Sequence, residues 1–266
     1  MLEVMGLAKA FQIKKKSLSD SEKSDPRYSE TAFHSVRHVS FHCDPGEVIG
    51  VLGPNGAGKT TTLRMLSTAL KPDQGTIRIA GQDVLQKPIE ARRRIGFLSS
   101  STGLYDRLTT QENIEFNAKL FGMSQQAVTQ KSHALMSELN MLEFADKRAG
   151  SLSTGMKQKT AIARALMHDP DVVILDEPTS GLDILAKQTV LHFIDGLKQK
   201  GTPVLFSTHH MDEVDRLCDR VVIIAYGETI FEGTLAAMRE FGRDDDLNNA
   251  FLNILADKGA SYVADI

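Results

Sequence analysis

The chain has 266 residues, 24% charged and 41% hydrophobic, with a formal net charge of −3. That length can bury a sizeable core and fits one α/β domain with an inserted subdomain. The charge balance gives no global pull toward nucleic acid, and the basic clusters Lys14-Lys15-Lys16 and Arg92-Arg93-Arg94 are short enough to be solvated surface. Cys43 and Cys218 match no metal-ligand spacing and no disulfide framework, so buried or incidental thiols in a reducing compartment are expected. No run approaches the roughly 18 consecutive apolar residues of a spanning helix, and residues 1–16 lack the basic-then-apolar order of a secretion signal. The expected location is cytoplasmic.

In chain order, Phe11 reads by itself as a core phenylalanine, and residues 14–34, polar and carrying Asp25-Pro26, read as a mobile loop. The apolar run Val48–Leu52 then leads into Gly53-Pro54-Asn55-Gly56-Ala57-Gly58-Lys59-Thr60, and a helix is expected over 61–70. Strand, glycine-rich loop and helix together make a phosphate cradle. Glycines let successive amide N–H groups turn toward a β-phosphate, and the helix aims its positive dipole end at the same anion. Lys59 can reach the β- and γ-phosphates, and the Thr60 hydroxyl can ligate a bridging Mg²⁺.

Further short apolar runs at 95–98, 172–175, 204–206 and 221–224, with helical stretches between several of them, predict a mostly parallel sheet covered on both faces. Between 109 and 168 the period changes to that of helices. Thr109 and Glu112 predict a capping box, with Ile114, Ala118 and Phe121 on one face. Val128, Leu135, Leu139 and Leu142 predict a second helix, and 155–167 a third, ended by Asp169-Pro170. Ser153 and Gly155 fall at the start of that third helix, where a hydroxyl and free amides make an ordinary cap or meet an anion.

The strand at 172–175 runs into Asp176-Glu177-Pro178, placing two carboxylates at the carboxyl edge of a buried strand, where open α/β sheets bind ligands. The bland reading is a capped strand end. Beside a phosphate cradle, Asp176 becomes the Mg²⁺ holder and Glu177 the group that orients or deprotonates the attacking water. His209, just beyond the strand at 204–206, could contact a γ-phosphate, with His210 expected to face elsewhere; the alternative is a structural histidine. In the tail, Leu247, Phe251, Leu252 and Leu255 predict a packed closing helix.

The string Ser151-Leu152-Ser153-Thr154-Gly155-Met156-Lys157-Gln158 resembles the signature motif of ATP-binding-cassette ATPases, with Thr154 where the family usually has glycine. The other landmarks stand in family order: 53–60 resembles the Walker A loop, 172–177 the Walker B strand, Ser180-Gly181-Leu182-Asp183 the D-loop, and His209 the switch histidine. The resemblance implies an α/β P-loop NTPase core with a mostly parallel sheet, antiparallel N-terminal strands and an inserted helical subdomain. It places the ATP-binding domain at 1–233, with core 1–98 and 168–233, helical subdomain about 99–167, and a C-terminal extension at 234–266.

It further implies ATP contacts from residues 53–60, Thr61 and Phe11, whose ring would stack on adenine, and Mg²⁺ held by Thr60 and Asp176. Glu177 and His209 are the implied catalytic residues. Leu152, Ser153, Thr154, Gly155 and Met156 would complete the ATP site of a second copy in an ATP-dependent homodimer. Ser100 stands where the family usually has a metal-touching glutamine, and serine's shorter reach favours a bridging water there. Slow but real hydrolysis is expected; an ATP-gated module that barely hydrolyses is the alternative that Ser100 raises. Residues 103–109 and 208–214 are similar to those of ABC-2 type exporter subunits, including sodium-efflux subunits. Separately encoded transmembrane permeases are the implied partners, which would place the chain on the inner face of the membrane. The rival class, a soluble ATPase acting on nucleic acid or ribosomes, finds no tandem cassette, long heptad segment or extended basic surface here, and no direct nucleic acid contact is expected.

Overall fold

A computed structural model of the chain describes residues 1–13, 24–99 and 103–258. The strands, among the described residues, are β1 (Leu2–Gln12), β2 (Ala32–Cys43), β3 (Val48–Leu52), β4 (Gln74–Ile79), β5 (Gln82–Asp83), β6 (Ile95–Leu98), β7 (Val172–Asp176), β8 (Val204–Ser207), β9 (Arg220–Ala225) and β10 (Glu228–Thr234). They form one sheet in the order β5-β4-β1-β2-β10-β9-β3-β8-β7-β6. From β9 through β3, β8 and β7 to β6 every pairing is parallel, while β1 pairs antiparallel with both β2 and β4. The architecture is that of a P-loop ATPase core, as the sequence led one to expect.

Strand side chains alternate faces, and the parallel strands sort their residues into two cores. Val48 and Leu52 of β3, Val173 and Leu175 of β7, and Val204 and Phe206 of β8 join one cluster. Ile49, Val51, Val172, Ile174 and Leu205 join the other. Helix α1 (Lys59–Leu66) packs into the second cluster through Leu63, Met65 and Leu66. The first cluster is covered by the helical insert, built from α3 (Thr110–Leu120), α4 (Gln125–Glu138) and α5 (Thr154–Leu166), together with α6 (Ile184–Gln199) and α7 (Met211–Leu217). A short helix α2 (Pro88–Arg92) precedes β6, and α8 (Leu235–Gly242) and α9 (Leu247–Asp257) close the chain. No helix among the described residues is long and apolar enough to cross a membrane.

Several boundaries differ from the sequence expectation for local reasons. Helix α1 starts at Lys59 and stops at Leu66, because Thr68 takes φ 61° and Leu70 N–H closes back on Arg64 O at 2.9 Å, a left-handed stop. Helix α4 likewise ends before Asn140, φ 51°, which leaves Leu142 outside it and 46% exposed. Phe121 is the C-cap of α3 and stacks on His168. The capping box of α3 forms with both bonds, Glu112 N–H to Thr109 Oγ1 at 3.1 Å and Thr109 N–H to Glu112 Oε2 at 2.8 Å. In α9, Leu247 and Leu255 are buried and Phe251 packs on the core, but Leu252 is 59% exposed. Residues 24–34 are no loose loop: Arg27 is buried, Tyr28 bridges Phe33, and β2 begins at Ala32.

Candidate functional site

The loop at 53–60 links the end of β3 to α1 at the carboxyl edge of the parallel strands. Its glycines are conformationally required. Gly53 has φ 148°, and a Cβ there would meet Ile224 O at 2.1 Å; Gly58, φ 108°, would meet Ser35 O at 2.6 Å. Gly58 caps α1 without any side-chain hydrogen bond, so the first amides of the helix are left for an anion. Lys59 is 7% exposed and donates to Gly53 O at 2.6 Å and Pro54 O at 3.0 Å, curled into the loop's own carbonyls. Burial pulls its pKa below the usual lysine value, against the opposing carboxylates of Glu177 and Asp176. Both carboxylates therefore act on the ammonium at the centre of the loop.

Asp176 ends β7, is 1% exposed, and accepts from Ser207 Oγ at 2.8 Å and from Thr60 Oγ1 at 3.3 Å. Ser207, the last residue of β8, also accepts from Glu177 N–H at 2.9 Å. That bond and a left-handed backbone, φ 49°, turn Glu177 off the line of β7. Its carboxylate lies 3.9 Å from His209 Nδ1, and both side chains face solvent in part. Thr60 and Asp176 offer two hard oxygen donors side by side, a set that suits Mg²⁺ when phosphates and water supply the remaining ligands. Among the described residues there is no cluster of three or more His, Cys, Asp or Glu that would make an all-protein cage.

His210 does not face away from His209; the two rings are 4.1 Å apart and tilted by 40°. Thr208 holds this segment by donating to Glu213 Oε2 at 2.7 Å. Glu213, fully buried on α7, accepts from Thr179 Oγ1 at 2.8 Å on its other oxygen and pairs with Lys187 at 2.9 Å. One carboxylate thus joins the turn after Glu177 to the residue before His209. Sequence reasoning passed over Glu213, Thr179, Thr208 and Ser207; the available signal was a glutamate on a short helix otherwise packed into the core.

The predicted signature turn forms a second group. Ser153 caps α5 by accepting from Met156 N–H at 3.3 Å, and Leu152 is buried beneath it, while Ser153 and Thr154 are exposed. A Cβ on Gly155 would lie 3.2 Å from Ala186 and one on Gly181, φ 70°, would lie 3.8 Å from Thr154, so the 180–183 turn packs against the start of α5. Asp183 caps α6 through Ala186 N–H at 2.9 Å, and Gln158 reaches Pro178 O at 2.9 Å. Through Pro178 the exposed turn is tied to the segment that follows Glu177.

Phe11 is 41% exposed on β1, opposite Phe33 of β2, so its ring is not a core element and is open to stacking. Ser100, together with residues 14–23 of the polar segment, lies outside the described residues.

Known proteins place the chain in a family. A family profile described as "ABC transporter" matches residues 36–180. The ABC transporter ATP-binding protein NatA of Bacillus subtilis (strain 168) is 45% identical over 222 residues, 83% of this chain and 90% of that protein. The Nod factor export ATP-binding protein I of Burkholderia lata is 44% identical over 211 residues, 77% of this chain and 67% of that protein. A solved ATP-binding subunit of an ABC transporter superposes with a TM-score of 0.79 at 29% identity, over 95% of this chain and 98% of that one. The dimeric ATP-binding cassette MJ0796 bound to ADP and Pi superposes with a TM-score of 0.77 at 23% identity, over 88% and 99%, a likeness of fold. The chain belongs to the ABC transporter family, as an ATP-binding subunit and an ATPase.

Proposed function

We propose that this subunit powers an ABC-2 type exporter by closing a homodimer around ATP and reopening it on hydrolysis. The observation that carries the reading is the convergence of Lys59, Thr60, Asp176, Glu177 and His209 on one edge of the sheet, joined through Ser207. Residues 53–60, with Thr61 in the first turn of α1, hold the phosphates, and Phe11 supports the adenine. Thr60 and Asp176 would hold Mg²⁺, which would supply charge neutralisation to the nucleotide phosphates when bound. Glu177 orients and deprotonates the attacking water, and His209 contacts the γ-phosphate from across it.

The 152–156 turn, with Ser153 and Thr154 exposed, completes the site of the second copy, and Asp183 and Gly181 sit beside it to sense that site. Support for pairing comes from the family, whose MJ0796 member was solved as a dimer. Support for export comes from the Nod factor export relative, and the sequence resemblance adds sodium or drug efflux as the solute class. Permease contact is assigned to the face that carries Tyr105, Phe116 and Leu120, three exposed large apolar residues on and beside α3. Affinity for ATP over ADP then shifts the permease between states.

Two assays test the reading. Purified chain with Mg²⁺ and ATP should release phosphate, and Glu177→Gln should lower the rate by about 10²–10⁴-fold at little cost in ATP affinity; equal rates would refute the catalytic assignment. Affinity purification of Glu177→Gln from solubilised native membranes should recover a stoichiometric multi-span protein. Recovery of ribosomes or nucleic acid in its place would overturn the exporter reading.

A further inference from the structure

The polar segment before β2 carries an arginine that reaches the phosphate loop from outside. Asp25 accepts from the backbone N–H of Arg27 at 2.9 Å and from its Nη2 at 2.6 Å, which folds the side chain back over the Asp25-Pro26-Arg27 turn. The guanidinium carbon lies 5.1 Å from the ring of Phe33 and 5.7 Å from that of Tyr226, and the residue is 8% exposed. Nη1 donates to the carbonyl oxygen of Gly56. One residue on, Gly227 N–H donates to Ala57 O at 3.0 Å.

A trans peptide points its carbonyl and its N–H in opposite directions. Tying the carbonyls of Gly56 and Ala57 from the outer side therefore fixes the N–H groups of Ala57 and Gly58 toward the inner side of the loop. In this structure the Ala57 N–H turns on Pro54 O at 3.1 Å, inside the curve of the loop. The wall behind is close-packed, since a Cβ on Gly227 would meet Ser35 O at 2.8 Å. Packing alone gives no reason for a buried guanidinium at this spot, because an apolar side chain of similar volume fills such a site at least as well. A planar fork that can grip a carboxylate and a carbonyl together does.

We infer that Arg27 is a positioning residue for the phosphate loop, holding the Gly56 carbonyl outward and with it the Ala57-to-Pro54 turn that shapes the loop for nucleotide phosphate. The 25–33 turn thereby sets nucleotide affinity. The inference rests on the reading of residues 53–60 as the phosphate cradle.

The test is calorimetric titration of ADP into the wild type, Arg27→Ala, Arg27→Lys and Lys59→Ala, with melting temperatures taken without nucleotide. Arg27→Ala is expected to weaken ADP about tenfold while phosphate release at saturating ATP stays within about twofold, because the residue acts on binding and not on the water. Arg27→Lys keeps the charge but not the fork, and is expected to lose about threefold. Wild-type affinity in both Arg27 variants, with Lys59→Ala weakened, would overturn the role of Arg27 and leave the cradle standing. Wild-type affinity in Lys59→Ala would overturn the cradle and the inference with it. Should Arg27→Ala fail to fold, the Arg27→Lys affinity decides alone.

Discussion

Thr179 and Thr208, far apart in sequence, donate their hydroxyls to the two oxygens of one carboxylate, that of Glu213, at 2.8 and 2.7 Å. The bond partners hold the turn that follows Glu177 and the residue that precedes His209, so a buried charge sets how those two groups face each other. Its satisfaction is complete, with Lys187 supplying the countercharge at 2.9 Å.

Breaking that junction should be costly. Glu213→Ala leaves two buried hydroxyls and Lys187 without their shared acceptor, an expected loss of about 2–4 kcal/mol; Glu213→Gln, which keeps the shape and hydrogen bonds, should lose about half of that. Urea unfolding measures both. A Glu213→Ala midpoint equal to the wild type would mean that the contacts seen here contribute little.

Both thiols should be silent in the folded protein. Burial, reinforced by the Glu47 carboxylate, pushes the Cys43 thiol up to about 12, and burial with Asp219 raises Cys218 further still. An aromatic disulfide reagent at pH 8 should find no reactive thiol in native protein and both after unfolding. Gly50 belongs to the same corner: a Cβ there would lie 2.9 Å from Cys218 Sγ. Gly50→Ala is therefore expected to cost about 1–3 kcal/mol, and Cys218→Ala in the same chain should relieve part of it. Strict additivity of the two substitutions would contradict the clash.

Acid should loosen the junction of insert and core at His168. The imidazole is stacked on Phe121 at 3.9 Å and donates from Nε2 to Ile95 O at 3.1 Å, a tautomer set by that bond; Nδ1 is buried without a hydrogen-bond partner among the described residues. Burial lowers its pKa below 6.5, outweighing the Ile95 bond and Asp169, which act the other way. A group depressed in the fold contributes stability that is present above its unfolded value and lost as pH falls through the folded one. Unfolding midpoints should fall as pH drops below 6.5, more steeply in the wild type than in His168→Gln. Parallel profiles would remove His168 as the cause.

Much of the fold was legible because the buried parallel strands are short apolar runs and the phosphate loop is local in sequence. Thr109 with Glu112, and Ser153, announced two helix starts in the same local way. What escaped notice depends on contacts between distant segments. The fork of Arg27 finds Gly56 only when β2 lies against the loop, and Glu213 finds Thr179 only across the helix layer. Left-handed stops at Thr68 and Asn140 were also hidden, since neither threonine nor asparagine demands that conformation. Leu252 looked like core by spacing yet faces solvent, because the helix surface is wider than the stripe it buries, and Leu142 does so because α4 stops before Asn140.

In the proposed cycle two copies close on ATP, each supplying the 53–60 loop to one nucleotide and the 152–156 turn to the other. Its most direct test is light scattering on Glu177→Gln, with and without ATP, beside the same chain carrying Ser153→Arg. ATP is expected to convert the 29.2 kDa chain to a species of twice that mass, and Ser153→Arg to keep it at one. A Glu177→Gln chain that stays monomeric with bound ATP, or one that pairs as well with arginine at the turn, would contradict it.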